Sequence, residues 1–172
     1  MIEARIEIVR YSPAWALEFA QESALIHETL GHVLLALHHI GSTAIPGCDA
    51  KPIIDILAVV TTLDDLDPRT AALEALGYEA LGEFGIPGRR YFRKGSTFED
   101  RTHQIHAFAD GSSEIARHLA FRDYLRENPD AVSAYVALKR RLATAHPTDV
   151  DAYTEGKSGF IRMIEARAKH PR

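Results

Sequence analysis

Two short apolar runs, residues 33–40 and 53–60, are separated by a segment that no helix can cross. That segment holds Gly41, Pro46, Gly47 and Pro52, and proline both removes a backbone donor and clashes inside a helix. Each run therefore reads as a strand, apolar enough to be buried on both faces, with a turn between them. Asp55 interrupts the second run amid Ile53, Ile54, Ile56 and Leu57. Burying a lone carboxylate there costs roughly several kcal/mol, so Asp55 must be paired, bound to a cation, or left at an open strand end. With the Gly41-Ser42 turn before it, this stretch is the candidate site.

The flanking chain supplies the layers that such strands need. Residues 2–9 alternate Ile2, Ile6, Ile8 and Val9 with charged side chains, which predicts a short edge strand or an extended arm. Ser12 and Pro13 open an amphipathic helix carrying Trp15, Phe19, Ile26 and Leu30 and closing at Gly31. A second helix is expected over residues 64–76 and a short strand over 78–81. A glycine-rich loop, residues 82–88, then leads into the basic segment 89–94, where Arg89, Arg90 and Arg93 read either as a solvated edge or as cations able to close over an anion. Residues 101–109 form a strand with Thr102, Gln104, His106 and Phe108 on one face and His103, Ile105 and Ala107 on the other. Three helices follow, starting at Ser112 or Ser113, at Pro129, and at Thr148 or Asp149. The expectation is a single α/β (α+β) domain over residues 1–172, with a mixed central sheet of about 4–5 strands flanked by helices and a helical C-terminal third.

Composition narrows the partners. A formal charge of -4 argues against broad attraction to nucleic acid or to anionic membrane. The first ten residues hold no long apolar core, so they read as neither signal peptide nor membrane span. Cys48, the sole cysteine, has no partner for an internal disulfide, and a reducing, cytoplasmic location is expected. The glycines of 82–88 match neither a dinucleotide fingerprint nor a P-loop, because no Gly-Lys-Ser/Thr follows them.

In residues 40–47 (Ile-Gly-Ser-Thr-Ala-Ile-Pro-Gly), 50–56 (Ala-Lys-Pro-Ile-Ile-Asp-Ile) and 101–106 (Arg-Thr-His-Gln-Ile-His) the chain resembles the GrpB family. Phe121 through Leu125, and Tyr153 with Lys157 and Phe160, extend the likeness over most of the sequence. The resemblance implies a nucleotidyltransferase fold related to DNA polymerase beta. Enzymes of that superfamily hold a triphosphate at a glycine-serine turn and carry two carboxylates, two residues apart on one strand, as ligands for two metal ions. Asp55 matches the first carboxylate, whereas the second position holds Leu57, which binds no metal.

These features assign the expected roles. Gly41, Ser42 and Thr43 would hold phosphate, or cap a short helix after the first strand. Lys51, Arg90 and Lys157 would neutralise ligand charge. His106 would stand beside Asp55 as a metal ligand, or as a hydrogen-bond donor making a metal-free acid-base pair. A divalent metal would be Mg or Mn, with Zn or Fe favoured if imidazole is a ligand. His38, His39 and His103 read as structural. The implied function is binding of a nucleotide or another phosphorylated small molecule, with metal-dependent nucleotidyl or phosphoryl transfer. The alternative is a catalytically inactive ligand-sensing or protein-binding module that retains the fold.

Overall fold

The computed structural model describes residues 4–170, so Ile2 and Glu3 of the expected N-terminal segment lie outside the described residues. The chain runs α1 (Ala14–Leu30), β1 (Leu34–Ile40), β2 (Ile54–Val60), α2 (Leu63–Leu66), α3 (Thr70–Ala75), β3 (Tyr78–Ala80), β4 (Arg89–Lys94), β5 (His103–Ala109), α4 (Ser113–Glu127), α5 (Pro129–Ala145) and α6 (Val150–Lys169). The five strands form one mixed sheet in the order β1-β2-β5-β4-β3. Only β2 and β5 run parallel, and the other neighbours pair antiparallel. The segment before α1 is an extended arm, tied to the body by a single bridge between Val9 and Ala50 and by Ile6 N–H donating to Pro147 O at 2.7 Å.

Strand alternation divides the sheet into two unlike faces. One face sends Ile54, Ile56, Ala58 and Val60 of β2, with Ile105 and Ala107 of β5 and Phe92 of β4, against Ile26 and Leu30 of α1 and Leu73 of α3. Each fully buried Ile or Leu in this layer contributes about 1.5–3 kcal/mol relative to exposure. The opposite face carries a smaller apolar cluster, Ile40, Leu57 and Phe108, covered by Ile115 and Leu119 of α4. A third cluster joins α4, α5 and α6 through Leu125, Val132, Tyr135 and Ile164, with Ile45 and Cys48 of the β1–β2 turn beneath them. The C-terminal helices are therefore anchored on the turn that precedes Asp55.

Three expectations need correction. β1 is an edge strand rather than one buried on both faces: Leu35 is exposed and the pairing register slips between Leu34 and Ala36. The helix expected over 64–76 is broken into α2 and α3 by a 3₁₀ turn containing Pro68, whose ring is incompatible with a helix interior. The basic segment is not a solvated edge throughout: it forms strand β4, which buries Arg89 opposite Phe108 and sets Tyr91 opposite His106 on the α4 side.

Candidate functional site

Asp55 is the second residue of β2, where Ile40 of β1 and Gln104 of β5 flank it in register. Its side chain is 27% exposed and points into a cleft of about 760 Å³ between the sheet and helices α4, α5 and α6. His106 emerges two residues further along the same face of β5, and its Nε2 lies 3.1 Å from Asp55 Oδ1. On the other side of the imidazole, Arg89 Nη1 stands 3.3 Å from Nδ1. A guanidinium only donates, so Nδ1 accepts and the proton resides on Nε2, which donates to Asp55. Arg89, His106 and Asp55 thus form one directed chain of hydrogen bonds.

The Gly41-Ser42 turn closes over the same carboxylate. Gly41 has φ +71°, and a Cβ there would stand 2.6 Å from Asp55 Oδ2. Any side chain at this position would be strained and would displace Asp55, which is a physical reason for glycine before Ser42. Ser42 lines the cleft. Thr43 borders it too, but its hydroxyl donates to Ile53 O at 3.4 Å and accepts from His39 Nε2 at 2.9 Å, so it serves mainly to tie the turn to β2. Burial pushes His39 down to about 4, the Asp55 carboxylate opposing and Arg126 and Arg122 adding to the shift. A neutral imidazole stacked on Phe19 with centroids 4.8 Å apart is what results, in line with a structural role.

Cations dominate the rest of the cleft. Lys51, Arg101 and Lys157 all line it, and none of the three forms an ion pair among the described residues. Arg101 Nε is buried without a hydrogen-bond partner. Lys51 Nζ lies 5.0 Å from the Phe98 ring and 5.1 Å from Tyr153, and Lys157 Nζ lies 4.6 Å from Tyr153. These aromatic faces compensate only part of the lost hydration. Burial lowers Lys157 to about 7, with Lys51 and Lys139 adding their repulsion and Asp55 opposing. Burial likewise lowers Lys51, again against the pull of Asp55. Lys139 differs, being buried and satisfied by Asp49 O and Cys48 Sγ, which makes it a brace for the turn.

Arg90 lies outside the cleft, although the sequence pattern suggested it as a phosphate ligand. It points to the other face and is held by Asp67 through bonds of 2.8 and 3.1 Å. Arg89 takes the expected place. Gly41, Ser42, Thr43, Lys51, Asp55, His106 and Lys157 do converge on one cleft. Sequence reading passed over Arg101, which lies just before β5, and Arg117 and His118 on α4.

A two-metal centre does not fit these residues. Leu57, in the place of the second carboxylate, is fully buried with Ile40 and Phe108. His106 Nε2 is engaged by Asp55, and no group of three metal-ligating side chains occurs among the described residues. Of the other carboxylates at the cleft, Glu165 is bound by Arg117 at 2.7 Å, and Asp151 and Glu155 are exposed residues of α6.

Residues 5–167 match the GrpB protein family. The chain belongs to that family. It is 42% identical over 165 residues to the UPF0157 protein YqkA of Bacillus subtilis, covering 96% of this chain but only 48% of that protein, so it spans about half the relative's length. The crystal structure of the conserved protein GrpB from Enterococcus faecalis superposes with a TM-score of 0.89 at 45% identity, covering 94% of this chain and 96% of the other. The Cid1 poly(U) polymerase, in a structure with Mg 3'-dATP bound, aligns with a TM-score of 0.57 over 86% of this chain and 49% of its own. At 12% identity that likeness establishes the nucleotidyltransferase-like fold alone. No described helix is long and apolar enough to cross a membrane.

Proposed function

We propose that this GrpB-family chain binds a nucleotide or another phosphorylated small molecule in the cleft, through direct contact of its phosphates with Lys51, Arg101 and Lys157. The observation that carries the proposal is the gathering at one cleft of three cations without acidic partners among the described residues. Desolvated like charges repel, and an anion that accepts from all three relieves the desolvation and the repulsion together. Ser42 and the Gly41 backbone complete the binding surface, and Arg90 takes no part. Asp55 borders this anion site without contacting the phosphates, and His106 is a positioning residue that orients its carboxylate. Nucleotide binding by the Cid1 neighbour agrees with this reading. A second reading, a catalytically inactive ligand-sensing or protein-binding module that retains the fold, draws its support from Leu57, which is fully buried in the place of the second carboxylate.

Calorimetry with inorganic tripolyphosphate and with ATP, in the presence of a chelator, tests the proposal. Both anions bind the wild-type chain, and Lys51→Ala and Arg101→Ala each weaken binding roughly tenfold, the loss of about one charge-assisted hydrogen bond. Asp55→Ala binds at least as tightly, because a repelling carboxylate is gone. Binding that vanishes with chelator or in Asp55→Ala would instead mean a metal bridges ligand and protein, and no binding at all sinks the proposal.

A further inference from the structure

We infer that Phe84 is a stacking platform for a planar ring, so that the cleft is shaped for a nucleotide and not for a phosphate ester that lacks a base. This inference rests on the anion-binding reading above and adds the identity of the group attached to the phosphate.

Phe84 belongs to the connection between β3 and β4 and lines the cleft, with 58% of its surface exposed. Exposure of a single apolar side chain is ordinary, but this one is an aromatic ring lining a cationic cleft. Its backbone is unusual: Phe84 has φ 46°, and it is the non-glycine residue with positive φ among the described residues. A bulky side chain in that conformation persists only where surrounding bonds over-determine it, and such positions cluster at ligand clamps.

Those surrounding bonds come from Arg89. Its Nη2 donates to Phe84 O at 2.7 Å and its Nε to Glu83 O at 3.1 Å. Gly88 N–H closes the loop onto Glu83 Oε1 at 3.0 Å. The Nη1 of the same guanidinium donates to His106, which donates to Asp55. One side chain therefore holds both the Phe84 backbone and, through His106, the Asp55 carboxylate. The Phe84 ring stacks on Tyr91 with centroids 5.2 Å apart and planes inclined by 20°. Tyr91 covers one face of the ring, and the exposed remainder is available to a second planar group. Every nucleobase offers a π-face to such a platform, whereas a sugar phosphate or a bare polyphosphate gains nothing from it.

The test compares ATP, UTP and inorganic tripolyphosphate as ligands of the full chain. Wild-type protein is expected to bind both nucleotides roughly 5- to 100-fold more tightly than tripolyphosphate, the range that base stacking on an aromatic ring supplies. Phe84→Ala removes that preference and leaves tripolyphosphate affinity unchanged. Phe84→Trp restores it, and nucleotide, unlike tripolyphosphate, quenches the new indole; Trp15, the natural tryptophan, is buried away in the core. Wild-type protein that binds tripolyphosphate as tightly as nucleotide overturns the inference and leaves the anion site standing, as does a nucleotide preference that survives in folded Phe84→Ala. Failure of all three ligands to bind overturns the anion-binding reading itself.

Discussion

The two faces of the sheet treat buried charge in opposite ways. On the α1 face, Glu22 is enclosed by its partners: Tyr78 Oη donates at 2.7 Å, Lys94 Nζ at 2.5 Å, and His103 Nε2 stands 4.0 Å away. Burial pushes the Glu22 carboxyl up, but the hydrogen bonds from Lys94 and Tyr78 outweigh it and hold the group below its ordinary value. On the α4 face, Lys51, Arg101 and Lys157 have no carboxylate paired with them among the described residues, and Asp55 is committed to His106. A closed network stabilises the fold that contains it. An open one costs stability until a ligand completes it, so the difference separates structure from function on a single sheet.

Breaking the closed network gives the largest effect. Glu22→Gln leaves the half-buried Lys94 ammonium without its counter-charge and costs about 2 kcal/mol of unfolding free energy, below the penalty for a fully buried pair because water reaches the lysine. Denaturant melts at neutral pH measure it, and anion affinity at the cleft is expected to be unchanged. A loss under about 1 kcal/mol would mean that the network is hydrated and the contrast between the faces is false.

Acid probes the same contrast without mutation. His39 is held neutral on the α1 face with its value lowered from 6.5 to about 4. Below the ordinary value the unfolded chain takes up a proton that the folded chain refuses, so stability is complete above about pH 6.5 and falls as the pH drops towards 4. Between about pH 7 and about pH 5 the loss amounts to about 2 kcal/mol. Unfolding curves of the wild type and of His39→Gln at the two pH values check it, since the variant lacks this part of the slope.

How far the sequence carried each face depends on what fixed it. Asp55 and His106 were legible as a pair because the family resemblance brought their two strands to one site, and alternation then set which side chains face it. Leu57 was legible as a non-ligand for the same reason. Arg90 went to the wrong face because β4 is polar and follows a glycine-rich loop, so its start, and with it the parity of every side chain, is not written in a hydrophobic pattern. Arg89 and Arg90 exchange roles on a shift of one residue. Arg101 carries no periodic signal at all, lying just before β5, and at the cleft its guanidinium stands 5.5 Å from the Phe98 ring, a contact that no sequence pattern announces. Lys157 was legible through the family likeness as a cation for ligand charge, and its place at the cleft is set by tertiary contact with Tyr153.

Lys157 also gives the smallest effect, and the one with the opposite sign. Replacing a satisfied buried charge destabilises, whereas replacing an unsatisfied one by an apolar side chain of similar length stabilises. Lys157→Met is therefore expected to raise unfolding free energy near pH 7 by about 1 kcal/mol, a figure reduced from the full shift because the cleft mouth admits water. The pH slope follows the same logic. With its folded value lowered to about 7 from 10.5, Lys157 makes the unfolded chain the better proton binder between those limits, so wild-type stability rises with pH across that window. Lys157→Met loses this contribution, and the difference between the two proteins narrows from about pH 7 to about pH 9. Saturating tripolyphosphate narrows it as well, because the bound anion keeps the lysine charged and stabilises the protein that has it more than the variant, which keeps only Lys51 and Arg101. Thermal melts with and without the anion read both effects, and a Lys157→Met chain that is less stable than wild type under every condition would place this lysine with the closed network.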